Sequence, residues 1–482
     1  MAVKEKEFIV AIELGSSKIT GIAGKKNIDG SITIQSVVKE DSSGFIRKGI
    51  IFNIDKTVQC ISNIVKKLSN NLKTEISQVY VGVGGQSIRS VKNTIVKKLD
   101  EDTIISQNMI DELMDINRNM VYQDQEILDT ATQEYKVGNQ LLMEPVGIQC
   151  SKLEGNFLNI LWRKNFYRNL NNCFNNANVA IAEMYLAPLA LADNVLTDAE
   201  KRSGCVLVDL GADTTTVSVY YKNILRHLVV IPLGGNNITK DIASLQIEES
   251  VAEKMKLKYG SAYTDNNDID NSLKLPIDAE RSIESRVFID IVEGRLQEII
   301  ENVWYQVPAD YTDRLLGGII LTGGGSNMKN IDIAFRKHTR IEKIRIAKFV
   351  TQTIMSNHQD ITSHNAMMNT VLGLLAKGNM NCAGQEVNSD LFGEGGKTTP
   401  ITTEDIHQTP RTASELGNGI VPTQAEKDKA EELRRKAEEE KKKLEEETKS
   451  IEEEDNDDNP GKLKGFGSKI GKFIQKLISE DD

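Results

Sequence analysis

The sequence predicts a duplicated α/β fold, two lobes facing each other across a cleft. Three stretches carry that expectation. Residues 8–38, FIVAIELGSSKITGIAGKKNIDGSITIQSVV, read as an apolar strand, an acid, a tight turn, a second strand, an Asp-Gly hairpin turn and a third strand. Residues 204–231, GCVLVDLGADTTTVSVYYKNILRHLVVI, repeat the pattern, and setting Glu13 on Asp209 sets Gly15 on Gly211. Residues 317–331, GGIILTGGGSNMKNI, add an apolar strand that ends in glycines and leads into a helix.

Length and composition set the frame. The chain has 482 residues, room for two to four compact units at roughly 100–200 residues each. Its net charge of −11 argues against general nucleic-acid binding, which favours basic surfaces. No apolar run approaches the ~18 residues of a membrane-spanning helix, and the start, MAVKEKEFIV, has no signal-peptide apolar region. Cys60, Cys150, Cys173, Cys205 and Cys382 lie far apart without metal or redox spacing, so reduced cytosolic thiols are expected. The histidines are equally scattered and suggest no metal cage.

Each repeated turn is built of small residues, which lets consecutive backbone N–H groups converge on an anion. The first offers Gly15, Ser16 and Ser17, with Lys18 next; the second offers Gly211, Ala212, Asp213 and Thr214. Two such turns across a cleft would grip the phosphates of one nucleotide. Asp209, at the end of an apolar strand, is placed to reach Mg2+ through its waters, and Glu13 to do so from the other side. Either turn alone also reads as an ordinary strand end; the repetition favours the phosphate reading. Gly323, Gly324 and Gly325, followed by Ser326, permit close backbone approach to a flat or anionic group.

Turn, turn and glycine-rich strand end, in this order, resemble the phosphate-1, phosphate-2 and adenosine motifs of the actin/Hsp70/sugar-kinase superfamily. Within it the chain resembles the FtsA family of bacterial cell-division proteins, over residues 7–378 and the final helix. The resemblance implies an actin-like (ribonuclease H-like) two-lobe ATPase fold with an FtsA-type inserted subdomain, then a disordered linker and an amphipathic helix. VAEKMKLKYGSA (251–262) is similar to the family's ribose and adenine segment, which implies that role for Glu253 and Lys256. IPLGGNNITKDIA (231–243) is similar to the stretch after the phosphate-2 hairpin, and MMNTVLGLLAKG (367–378) to the helix closing the second lobe. The partition expected is first lobe 1–84 and 162–203, insertion 85–161, second-lobe core 204–240 and 311–378, small subdomain 241–310, linker 379–460 and membrane helix 461–482.

In the insertion, ISQNMIDELMDINR reads as a helix and the segment from ATQEY to NILW as strands. Gln133, Glu134, Tyr135, Pro145, Val146 and Gly147 match the family's pattern. The resemblance implies contacts there with neighbouring subunits of a filament and with later division proteins; a plain lobe extension is the other reading. It also implies that the small subdomain binds the C-terminal tail of FtsZ, the tubulin-like division GTPase. Ile283, Val287, Ile291, Ile299 and Val303 read as one apolar core stripe of its helix. Arg286 lies off that stripe and matches the position gripping an acidic peptide, although a solvated surface charge would look the same. The second turn is poorer in glycine than is usual, and Asp213 adds negative charge beside the expected phosphate. ATP binding with at most slow hydrolysis is therefore expected, with no residue standing out as a water-positioning base.

Beyond residue 378 the composition shifts. Residues 379–424 are rich in Asn, Gly, Thr, Pro and Gln and cannot bury enough surface to offset ordering entropy. Residues 425–455 are almost all Glu and Lys, a lone solvated helix or a coil; Leu433, Ala437, Leu444 and Ile451 are sparse for a coiled coil. On a helix, Phe466, Ile470, Phe473, Ile474, Leu477 and Ile478 form one apolar face, flanked by Lys464, Lys469, Lys472 and Lys476. Such a helix suits the surface of an anionic membrane. Gly465, Gly467 and Gly471 each cost about 1 kcal/mol relative to Ala, so the helix should form on lipid and hold firmly only in many copies.

The function expected is an ATP-binding scaffold that polymerises on the inner face of the cytoplasmic membrane at the division site. It would anchor FtsZ there and help recruit later division proteins. The alternatives are a pilus-assembly relative and a metabolite kinase of the same superfamily, neither of which needs the tail helix.

Overall fold

The computed structural model describes residues 7–384. The expectations for the rest of the linker and for the membrane helix 461–482 lie outside the described residues.

The first lobe starts with β1 (Ile9–Leu14), whose Val10, Ala11 and Ile12 are fully buried, as in a strand covered on both faces. It pairs antiparallel with β2 (Lys18–Lys26), and β2 with β3 (Ile32–Asp41). The Asp-Gly turn between them forms as the sequence indicates: Asp29 Oδ1 accepts from the Ser31 N–H at 3.0 Å, and Gly30 takes φ +82°. A small hairpin follows, β4 (Ile46–Arg47) and β5 (Ile50–Ile51). Then comes α1 (Ile54–Leu72), capped by Asn53, whose Oδ1 accepts from the Lys56 N–H at 3.0 Å. β6 (Gln78–Val83) pairs parallel with β1.

The insertion consists of β7 (Arg89–Ile104), α2 (Gln107–Arg118), β8 (Gln125–Val137), β9 (Gln140–Leu142) and β10 (Gln149–Arg163). β10 runs antiparallel between β7 and β8, and α2 covers a separate core that includes Leu113, Tyr135, Leu153 and Phe157. α3 (Lys164–Asn176) and β11 (Ala180–Leu186) return to the first lobe, where β11 pairs parallel with β6. α4 (Ala187–Val195) and α5 (Asp198–Ser203) lead on, α5 opened by a Thr197–Glu200 capping box.

The second lobe repeats the plan. β12 (Cys205–Leu210), β13 (Thr215–Tyr221) and β14 (Ile224–Ile231) form an antiparallel meander. α6 (Gly235–Ala243), α7 (Glu249–Tyr259), β15 (Lys274–Pro276), β16 (Ser282–Glu284), α8 (Ser285–Tyr305) and α9 (Ala309–Thr312) come next. β17 (Gly318–Thr322) pairs parallel with β12, and after α10 (Ile331–Thr339), β18 (Ile344–Ile346) pairs parallel with β17. β19 (Ile354–Met355), α11 (Gln359–Thr362) and α12 (Asn369–Lys377) complete the described chain. The sheet orders are β11-β6-β1-β2-β3-β19 and β18-β17-β12-β13-β14-β7-β10-β8-β9. Without β19 and the insertion, each lobe is the same five-stranded sheet, so the duplication read from two turns holds for the entire core.

Three expectations are corrected. The helix at 367–378 does not close the second lobe. β19 adds to the free edge of β3, and α12 packs on α4, β1 and β2 of the first lobe, burying Val371, Leu374 and Leu375 there. The linker does not begin at 379: the Cys382 N–H donates to Phe8 O at 2.8 Å and the Gly384 N–H to Glu75 O at 2.7 Å, anchoring 379–384 to the first lobe. The buried face of α8 is Phe288, Val292, Leu296, Ile299, Ile300 and Val303 rather than the stripe through Val287. The helix starts only at Ser285, which leaves Ile283 in β16 and turns Val287, 40% exposed, towards solvent. The insertion also reaches the second lobe, since β7 pairs with that lobe's sheet through Val229 and Arg89.

Candidate functional site

The two turns that end β1 and β12 have one backbone design. The Gly15 N–H donates to Lys18 O at 3.0 Å, and the Gly211 N–H donates to Thr214 O at 2.9 Å. A Cβ on Gly15 would lie 2.8 Å from Lys18 O, and one on Gly211 2.7 Å from Thr214 O, so both turns require glycine for that closure. Among the described residues, the N–H groups of Ser16, Ser17, Ala212 and Asp213 take no protein acceptor. Consecutive unengaged N–H groups of this kind form an anion nest.

The surroundings of the turns differ. Ser16 is buried and its Oγ accepts from the Gly49 N–H at 2.7 Å, while Ser17 is exposed. The Ser42 hydroxyl donates to Gly15 O at 2.6 Å. In the second turn the Gly235 and Asn236 N–H groups, at the start of α6, donate to Gly211 O at 3.0 Å and Ala212 O at 2.7 Å. The helix's first donors therefore hold the turn's carbonyls against the start of α6. Asp213, a concern in the sequence as a charge beside phosphate, has both oxygens engaged. Oδ2 accepts from the Lys48 N–H at 3.0 Å and Oδ1 from Asn236 Nδ2 at 2.7 Å.

Glu13 and Asp209 sit half-buried at the ends of β1 and β12, at equivalent positions in the two turns. Burial, with the negative charge of Asp209 added, pushes the Glu13 carboxyl up to about 7. Burial pushes Asp209 up to about 6. Lys18 is held below the ordinary lysine value, first by burial and then by Lys39. Two oxygen donors that repel each other suit a hard divalent cation, which would restore both to the ionised form. Among the described residues no group of three acidic, His or Cys side chains could hold a metal ion, so further ligands would be phosphate oxygens or water.

The glycine-rich strand end meets this site. Gly323, φ +81°, packs against Asp209 so closely that a Cβ would lie 2.3 Å from Asp209 Oδ1. Gly325 lies against Leu210, and Gly324 opens to space. Ser326 is buried and its hydroxyl donates to Gly323 O at 2.7 Å, shaping the turn. On α7, Lys256 is buried; its Nζ donates to Gly235 O at 3.0 Å and Thr239 Oγ1 at 2.9 Å and pairs with Glu253 at 2.6 Å. Lys256 thus ties α7 to the start of α6, and Glu253 keeps the more exposed group of the pair. Arg286 stands apart, exposed at the start of α8, pairing with Asp290 at 3.2 Å and donating to Asn266 Oδ1 at 3.3 Å.

Sequence reasoning missed Ser42, the Lys48–Gly49 tip, Asn236 and Thr239. The hairpin had a signal: FIRKGIIF sets a Lys-Gly pair between Phe45-Ile46-Arg47 and the apolar Ile50-Ile51-Phe52, the pattern of a two-residue turn. A cavity of about 380 Å³ opens elsewhere, between residues 348–366 and α12; its Asp360 pairs with Lys39 at 2.7 Å.

Residues 206–373 match the family described as "Cell division protein FtsA", and residues 85–161 match "SHS2 domain inserted in FTSA". The chain is 32% identical over 336 residues to the Cell division protein FtsA of Neisseria meningitidis serogroup B, covering 68% of this chain and 81% of that protein. It is 32% identical over 357 residues to that of Porphyromonas gingivalis, covering 72% and 74%. To that of Bacillus subtilis it is 29% identical over 332 residues, covering 67% and 75%. Among solved structures, the PilM–PilN type IV pilus biogenesis complex aligns with a TM-score of 0.51 at 13% identity, covering 76% of this chain and 97% of that one, a likeness of fold alone.

Proposed function

The chain belongs to the FtsA family of cell-division proteins, and we propose that it binds Mg-ATP between its turns, polymerises on the inner face of the cytoplasmic membrane and anchors FtsZ there. The observation that carries the ATP reading is the pair of matched turns, each with unengaged N–H groups, and the coupling of Glu13 to Asp209. In this reading Ser16, Ser17, Ala212, Asp213 and Thr214 receive phosphate through their main chain. Lys18 supplies a cation, and Glu13 and Asp209 hold Mg2+ through water. Gly323, Gly324 and Gly325 let the nucleoside approach, with Glu253 on the ribose side. Lys256 and Ser326 support these residues from behind. Slow hydrolysis at most is part of this reading.

The remaining roles rest on sequence and family. The lysine-flanked apolar pattern at 466–478 supports a membrane-surface helix, and the linker before it lets the lobes stand off the bilayer. The insertion offers a surface to neighbouring subunits and later division proteins. Arg286 is accessible to an acidic peptide such as the FtsZ tail; Arg286→Glu is expected to weaken that peptide roughly tenfold in a fluorescence titration, and equal affinity removes Arg286 from the site.

Two measurements on the full chain test the reading. Calorimetry with Mg-ATP should show binding that Asp209→Ala abolishes or strongly weakens; an unchanged isotherm refutes the assignment of the cleft. Sedimentation with phosphatidylglycerol vesicles should pellet the full chain but not residues 1–460, and equal recovery of both refutes the tether.

A further inference from the structure

We infer that the Lys48–Gly49 hairpin tip couples occupancy of the two phosphate turns to the attachment of the inserted subdomain. The inference rests on the nucleotide reading above and goes beyond it.

The tip is a tight turn with both residues at positive φ, +53° and +70°. Its two N–H groups go to different lobes: Lys48 donates to Asp213 of the second turn at 3.0 Å, and Gly49 to Ser16 of the first at 2.7 Å. Its carbonyl goes to neither. Lys48 O accepts from the Gln86 N–H at 2.8 Å, at the entry to the insertion. The two backbones touch there, since a Cβ on Gly49 would lie 2.4 Å from Gly85 Cα and one on Gly85 2.3 Å from Gly49 O. One two-residue turn therefore joins both phosphate turns and the entry strand.

That entry is strained. Gly85 takes φ +112°, which glycine accommodates, but Ser87, a non-glycine residue, takes φ +74°, and its buried hydroxyl has no partner among the described residues. Strain of this kind persists where surroundings over-determine the backbone, as in switch regions. Past the entry, the chain leaves the first lobe but bonds to the second. The Val230 N–H donates to Ile88 O at 3.1 Å, the Leu228 N–H to Ser90 Oγ at 2.9 Å, and Arg226 pairs with Glu134. The insertion is thus tied to the first lobe by chain and tip, and to the second by β14. A ligand that draws the two turns together acts directly on the tip's two bonds, and any change in lobe angle must load one of the insertion's ties. By linkage, a change in those ties alters ligand affinity in return.

Hydrogen–deuterium exchange on the full chain, with and without saturating Mg-ATP, tests this, with calorimetry on the same samples. Residues 86–92 and 226–231 are expected to exchange roughly tenfold more slowly with Mg-ATP in the unaltered protein. Gly49→Ala forces the tip off Gly85 and is expected to lose that protection at 86–92. Should it fail to fold, Arg226→Gln, away from both turns, is expected to bind Mg-ATP and lose protection at 226–231. ATP binding with unchanged exchange in the unaltered protein overturns the coupling alone. Absent ATP binding overturns the nucleotide reading and the coupling with it.

Discussion

The two phosphate turns share a backbone and differ in charge. Each closes with one glycine N–H on a carbonyl three residues on, at 3.0 and 2.9 Å. The first is followed by Lys18, a half-buried cation; the second carries Asp213, whose carboxylate joins the Lys48 N–H to Asn236. An anion nest is a property of main-chain shape, so the side chains are free to specialise. The first turn brings the counter-charge, and the second ties the lobes.

The acids preceding the turns test that asymmetry most severely. Near neutrality Asp209 is mostly ionised, while Glu13, held at about 7, is about half protonated. Asp209→Ala should weaken Mg-ATP by roughly 10–100-fold, as losing an outer-shell metal partner does, and Glu13→Ala by less. Equal losses in calorimetry would erase the distinction. Next in size, Lys18→Met should lower ATP affinity about tenfold through a lost charge-assisted bond. Thr214→Val should change it little, because only the main chain of Thr214 takes part in the turn and in the proposed phosphate contact.

The pH dependence follows from the same acids. A metal needs both carboxylates ionised, so Mg-ATP affinity should fall several-fold as pH drops from 8 to 6, with proton release on binding. Without ligand the sign reverses. A raised carboxyl pKa means the folded chain binds more protons, so stability declines from the ordinary value near 4.5 to about 7 for Glu13, and is not regained above it. Glu13→Gln should flatten the affinity profile and raise the ligand-free melting temperature at pH 8; a lower one contradicts the coupling. The smallest effect belongs to Asp213→Asn, which keeps an acceptor for the Lys48 N–H; a change of about a degree or two in Tm is expected, with ATP affinity nearly intact.

Much of the fold was legible because strands and turns announce themselves locally. The acid, glycine and alternating apolar residues at 9–26 and 205–221 specify a strand, a turn and a strand without reference to anything distant. The corrected elements are those whose place depends on remote surfaces. The composition of α12 suits any apolar floor, and only the free edge of β3, extended by β19, brought it to the first lobe. The α8 stripe was misread because the helix start, at Ser285, is set by the β15–β16 hairpin before it.

By itself, then, the sequence determined the repeated turn, its two acids and the glycines that let a carbonyl come close. These are decided by contacts between residues three apart, where backbone sterics dominate. Tertiary structure alone decided that Asp213 meets Lys48 across 165 residues and that Ser16 meets Gly49 across 33. It alone raised the Glu13 and Asp209 carboxyls, since the burial of both and the repulsion that Asp209 exerts on Glu13 exist only once two distant strand ends are brought together.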